Sequence, residues 1–229
     1  MAKSVFDFVS DPYERKARLQ PALFVLVPVY LALLICFPDS IEELLKVVGG
    51  SVLASLVFIP FIMQYGRDGG KKLEPVLFKT WGGIPSVCIF RHSDKALPKA
   101  RKKQVHQKLS ESTSTVAPNT ELEMNQPEEA DDIYRTWSDY LRINTRDIKK
   151  YAMLFEENKN YGYRRNLYGM KGLAIVFALL SFTACLCKIV FIFKSESSLT
   201  AMHYGITLTV FLMLLFNSFG LNEAWVRIP

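Results

Sequence analysis

Residues 172–193 read GLAIVFALLSFTACLCKIVFIF, 22 positions with one charge, Lys188. A helix needs about 20 apolar residues to cross the ~30 Å hydrocarbon core of a bilayer, so this stretch is long enough by itself. Residues 201–221 (AMHYGITLTVFLMLLFNSFGL) match it, with no charge in 21. Two shorter uncharged runs lie nearer the start, residues 22–37 (ALFVLVPVYLALLICF) and 47–63 (VVGGSVLASLVFIPFIM). They reach spanning length by borrowing Pro21, or Leu44 and Leu45. Nine residues separate the first pair and seven the second, so each pair makes antiparallel neighbours. The expected fold is a mainly α membrane protein. Two transmembrane helical hairpins, 21–63 and 172–221, flank a small cytoplasmic α+β or helical subdomain within 64–171. Ser40 followed by Glu43 has the form of a capping box and predicts a helix start there. Pro28 and Pro60 predict kinks.

The composition average conceals this segregation. The chain has 229 residues, 50% hydrophobic, with 28 Lys+Arg against 22 Asp+Glu and a net charge of +6. Charge is crowded between the runs, which excludes a single soluble domain, a disordered chain and a disulfide scaffold. Lys and Arg set the orientation. Placing residues 1–20, 64–171 and 222–229 on one side puts 25 of the 28 there. That side is the cytoplasm of a multi-pass inner-membrane protein with both termini inside. The polar first 20 residues do not fit a cleaved leader. Cys36, Cys185 and Cys187 lie in apolar runs and Cys88 on the cytoplasmic side, where reduced thiols are expected.

Within 64–171, Leu73, Val76, Leu77 and Trp81 have helical spacing, and Gly82-Gly83 reads as a helix stop. Residues 84–90 are apolar and β-branched and predict a strand. Residues 91–108 then hold seven Lys/Arg and one acid, and residues 111–132 hold seven acids and no base. The serine- and threonine-rich join predicts a flexible loop over 110–128. Structure resumes at Asp131-Asp132, read as a cap. Ile133, Tyr134, Trp137, Tyr140 and Leu141 follow on one helix face. Thr145-Arg-Asp147 predicts another helix start, and residues 158–162 a break.

No catalytic constellation, cofactor motif or metal-ligand set emerges, and an enzyme is not expected. Gly66-Arg-Asp-Gly-Gly-Lys-Lys72 suggests a phosphate loop, but it lacks the Ser/Thr and the preceding strand that loop requires. It reads better as a basic turn at headgroup level. His92 and His106 have no partner at triad or ligand spacing and are expected to be solvated. The basic residues that suit a partner or anionic lipid are Arg67, Lys71, Lys72, Arg101, Lys102, Lys103, Arg164 and Arg165. Stretch 91–108 could alternatively pair with its own acidic successor. Gly50, Ala54, Ser51 and Ser55 give a small-residue face for close helix packing or self-association.

The cytoplasmic strings are distinctive: Tyr65-Gly-Arg-Asp-Gly-Gly-Lys-Lys-Leu-Glu-Pro75, Trp81-Gly-Gly-Ile-Pro85, Leu154-Phe-Glu-Glu-Asn158 and Tyr161-Gly-Tyr-Arg-Arg-Asn166. Over residues 65–170 the chain resembles a bacterial membrane-protein family of anti-phage defence loci, most like the transmembrane effector of a retron system. The resemblance implies an abortive-infection effector, restrained by a reverse transcriptase with its RNA–DNA hybrid. Released by infection, it would permeabilise or depolarise the inner membrane. The alternative is a non-toxic membrane-anchored sensor or scaffold that docks a nucleic-acid-binding partner. In either case the segments 65–72 and 161–166 leave the membrane on the same face and are expected to meet.

Overall fold

The computed structural model describes residues 9–36 and 41–195. Ser40, the fourth apolar run (201–221) and residues 222–229 lie outside the described residues. In chain order the helices are α1 Gln20–Cys36, α2 Ile41–Thr80, α3 Pro85–Cys88, α4 Lys99–Thr113, α5 Thr120–Asn125, α6 Pro127–Asn144, α7 Ala152–Gly169 and α8 Lys171–Ser195. The described chain is mainly helical and contains no strand. It divides into two compact units, one taking the chain up to Leu73 and from Glu157 onward, the other Glu74–Glu156.

In the first unit, α1 continues a turn, Pro12–Glu14, and a π-helical segment, Arg15–Leu19. Asp11 caps the start, its carboxylate accepting from the N–H groups of Tyr13 and Glu14 at 2.8 and 3.2 Å. Ala22, Val25 and Leu26 of α1 share one buried cluster with Ile59, Ile62 and Met63 of α2 and with Leu167, Met170 and Ala174. Further along, Ala32 and Cys36 of α1 pack with Cys185 and Ile189 of α8. Early residues meet early and late meet late, so α1 and α8 run parallel. The late part of the α2 apolar run meets the start of α1, so those two are antiparallel, as the short connection predicts. The outer faces are apolar as well. Phe58 and Phe61 of α2 are 60% and 70% exposed, and Leu179 and Leu180 of α8 are 60% and 64% exposed. Among the described residues, two helical stretches are long and apolar enough to cross a membrane, Pro12–Leu33 and Lys171–Phe191.

In the second unit, Gly82 and Gly83 stop α2 with φ of +78° and +145°, a region open to glycine. The strand predicted at 84–90 is not formed. Pro85 restarts a helix instead, because its fixed φ suits the first helical position and its missing N–H costs nothing there. Val87 and Phe90 then turn inward. The flexible loop predicted at 110–128 is also corrected. α4 extends to Thr113, α5 fills Thr120–Asn125 and α6 starts at Pro127. Polar residues of this stretch bond into the helices and their ends. Asn119 Oδ1 accepts from Leu122 N at 2.7 Å, and Thr113 Oγ1 donates to Leu109 O at 2.7 Å. Leu109, Ala117 and Leu122 anchor it to the core.

The predicted aromatic face of α6 forms the centre of that core, with Tyr134 and Trp137 fully buried. The helix begins a turn earlier than Asp131-Asp132, and Asp131 is an ion-pair partner rather than a cap. Thr145 closes α6, Asp147 holds the following turn through Lys149 N, and α7 starts at Ala152. The predicted break at 158–162 is absent, since α7 is continuous through it.

Candidate functional site

Two arrangements bring the sequence motifs together, one in each unit. In the first unit the segments 65–72 and 161–166 do meet. The glycines of 66–70 form no phosphate cradle and no turn; they are one face of α2. A Cβ on Gly69 would meet the Gly169 carbonyl oxygen at 2.6 Å, and one on Gly70 the Arg165 carbonyl at 2.9 Å. A Cβ on Gly66 would strike the Met170 side chain. The motif is therefore a close helix crossing, in which backbone approaches backbone because no side chain intervenes. Gly162 serves the same purpose where α7 crosses the N-terminal segment, since its Cβ would meet Ala17 and Tyr13.

That second crossing is fastened by a buried amide. Asn166 is 1% exposed and donates through Nδ2 to the Ala17 carbonyl at 2.7 Å. Pro21 explains the need. It has no N–H, so the carbonyl four residues earlier lacks its ordinary helical donor, and the proline ring crowds it. The widened turn at Arg15–Leu19 makes room, and Asn166 supplies a hydrogen. Beside it Glu14, 4% exposed, pairs with Arg18 at 2.8 Å.

In the second unit, α4 directs Lys102, His106 and Leu109 inward. The expectation that both histidines are solvated fails for His106, which is 5% exposed. Its ring lies 5.0 Å from Trp137, 5.6 Å from Tyr134 and 5.0 Å from His92, centroid to centroid. Such aromatic contacts contribute about 0.5–1.5 kcal/mol each beyond area burial. His106 Nε2 is 2.8 Å from the Phe90 carbonyl. A carbonyl only accepts, so Nε2 carries the hydrogen and Nδ1 holds the lone pair of a neutral ring. Burial holds the ring below the ordinary imidazole value, the Phe90 carbonyl opposes this, and the His92 and Lys102 charges add to it.

Polar groups around this core are closely matched. Arg91 grips Asp131 with Nε and Nη2 at 2.9 and 2.6 Å and reaches the Gly82 carbonyl with Nη1 at 2.8 Å. Glu123 accepts the Tyr134 hydroxyl and the His92 N–H. Burial and this carboxylate raise the Tyr134 hydroxyl well above its usual range. Lys102, 5% exposed, donates to the carbonyls of Arg91 and Asp94 at 2.5 and 2.6 Å. An open cleft of about 1280 Å³ lies against the same residues, lined by His92, Lys95, Lys99, Lys103, His106 and Glu123 among others.

The residues picked from sequence fall as follows. Lys71, Lys72, Arg101, Lys103 and Arg164 are exposed, and Arg67 is half-buried. Lys102 faces inward and engages two carbonyls. Arg165 is half-buried, with Nε 3.2 Å from Asn166 Oδ1. A Cβ at Gly50 would meet nothing within 4 Å, and the side chains of Ser51, Ala54 and Ser55 lie outside the described residues. The basic stretch 91–108 and its acidic successor are joined by a single ion pair among the described residues, Arg91–Asp131. No cluster of three His, Cys, Asp or Glu able to hold a metal occurs among the described residues. Sequence reading missed Asn166 and His106. The helical register of Lys102, His106, Leu109 and Thr113 was the signal for the second; nothing local marks the first.

Compared with known proteins, the chain matches no family model, no curated protein and no solved structure.

Proposed function

We propose that this chain is a multi-pass inner-membrane effector that acts on the bilayer when a restraint is lifted. The observation that carries the reading is the apolar outer surface of α1, α2 and α8, whose cores already pack on one another. Apolar area of this extent, with Phe61 70% exposed, is a liability in water and the ordinary outer face of a helix in lipid. The parallel run of α1 and α8 supports a common direction of crossing, with α2 returning antiparallel to α1. Together with the run 201–221 this makes four spans, both termini on the Lys/Arg-rich cytoplasmic side. The finer identity rests on the resemblance. It is a retron-type anti-phage system in which a reverse transcriptase and its RNA–DNA hybrid hold the effector until infection, and abortive infection follows membrane depolarisation. No catalytic step is part of this reading.

A second reading, a non-toxic anchored sensor or scaffold, is favoured by the built cleft and polar network of the second unit. The test separates the two. A voltage-sensitive dye is followed in live bacteria during induced expression of the chain alone. The effector reading expects depolarisation before viability falls. Unchanged potential at confirmed membrane expression overturns self-sufficient action and leaves the sensor.

A further inference from the structure

We infer that the cleft bounded by residues 92–98, α4 and the start of α5 binds a phosphate-bearing small molecule. Its phosphate sits on Lys95, Lys99 and Lys103, and a hydroxyl or amino group of the ligand donates to His106 Nδ1. Four observations converge on this.

The three lysines are exposed, line the same cleft and have no hydrogen-bond or ion-pair partner among the described residues. Lys99 and Lys103 stand four apart on one helix, where like charges repel unless an anion lies between them. The two acids of the cleft form no ion pair with these lysines and are turned to other donors. Asp94 Oδ1 accepts from Ala96 N at 2.8 Å, and Glu123 is held by Tyr134 and His92. The N-terminus of α4 adds to the positive field. This 15-residue helix has Pro98 at its N-cap, no side-chain cap and no acid in its first turn. Finally, His106 is a nine-tenths buried polar side chain on the cleft wall, its Nε2 committed to Phe90 and its Nδ1 making no hydrogen bond among the described residues. Lone-pair nitrogen beside cationic side chains suits a ligand with an anionic end and a neutral donor, as in a nucleotide or sugar phosphate.

The shape favours a small molecule over single-stranded nucleic acid. The phosphate groups would enter a concavity of about 1280 Å³, while Phe90, Tyr134 and Trp137, the rings a base would stack on, are buried in the core. The inference does not depend on what the membrane helices do, and its test reads no membrane activity.

The test uses the full chain in phosphatidylcholine nanodiscs at low ionic strength and about pH 8, above the ordinary imidazole range. ADP and inorganic pyrophosphate are titrated, followed by calorimetry and by tryptophan fluorescence, since Trp137 lies 5.0 Å from the His106 ring. Both probes are expected to saturate. The double variant Lys99→Ala/Lys103→Ala, at two exposed positions, weakens both by at least about tenfold with an unchanged melting temperature. His106→Gln weakens ADP more than pyrophosphate. Absence of saturable binding by either probe, or affinities untouched by the lysine variant, overturns the inference. A lysine-dependent fluorescence change seen only when phosphatidylglycerol replaces phosphatidylcholine, with neither soluble probe binding, also overturns it and identifies a lipid headgroup instead.

Discussion

Asn166 of α7 gives an Nδ2 hydrogen to the carbonyl of Ala17, 2.7 Å away and 149 residues distant in sequence. Both groups are buried, so loss of the donor strands an acceptor. Asn166→Leu is expected to destabilise the first unit by about 1–3 kcal/mol. Asn166→Asp is expected to cost more, because it places a second acceptor against the first. Thermal melting in detergent reads both; melting temperatures equal to the parent would remove the bond from the account.

The glycine crossing makes a sharper contrast. Gly69→Ala and Gly169→Ala drive a methyl group into opposing backbone, and both are expected to prevent accumulation of folded protein. Gly172→Ala meets nothing within 4 Å and should be neutral or stabilising by up to about 1 kcal/mol. Yield of monodisperse protein after extraction checks all three.

Cys36 and Cys185 bring their sulfurs to 3.7 Å, both as free thiols. Copper-phenanthroline oxidation is expected to join α1 to α8 within one chain. Proteolysis in the 91–132 region would then leave two fragments linked until reduction. Cys185→Ser should abolish the link, because Cys187, two residues further along α8 and exposed, fails to replace it. Fragments that separate without reductant would contradict the parallel register.

Arg91 and Asp131 form a two-pronged pair with side chains 27% and 22% exposed. Arg91→Ala leaves the carboxylate and the Gly82 carbonyl without their donors and is expected to cost about 1.5–3 kcal/mol. Arg91→Lys keeps the charge but loses the fork, so only part of the stability returns. Denaturant unfolding followed by tryptophan emission measures the difference.

His106 gives the second unit a pH dependence with a definite sign. Its folded value lies below the ordinary one, so the neutral ring stabilises the fold above the unfolded value of about 6.5. That contribution is lost as pH falls through the folded value. His92 and Lys102 oppose protonation, while Glu123 and the Phe90 carbonyl favour it. Melting temperature is expected to drop between about pH 7 and pH 5, with a smaller drop in His106→Gln. Parallel pH profiles for the two proteins would exclude His106 as the source.

Long apolar runs and helical spacing were legible because each reports a one-dimensional period. The aromatic face of α6 came from such a period, the antiparallel start from the nine-residue connection, and the stop from the conformational freedom of Gly82 and Gly83. Residues 84–90 misled because a short apolar run has the same composition in a strand and in a helical turn, and Pro85 decided between them. The polar stretch 110–128 misled because Asn119 caps α5 and the Thr113 hydroxyl bonds back within α4, roles invisible in composition. Gly66, Gly69 and Gly70 looked like loop residues for want of the partner, the end of α7 and Met170, that explains them. His106 looked solvated because residues 101–108 are polar apart from Val105, and only the helical register turns it inward.

Pro21 and Asn166 have a consequence for descent. Each is awkward alone, a proline inside a helix and an amide in an apolar crossing, and each makes the other acceptable. A lineage that replaced Pro21 by an ordinary residue would regain the missing amide hydrogen and release position 166 from selection for a donor. The two positions should therefore change together among relatives of this chain. That pairing is a mark by which such relatives can be recognised even where the surrounding apolar residues have drifted freely.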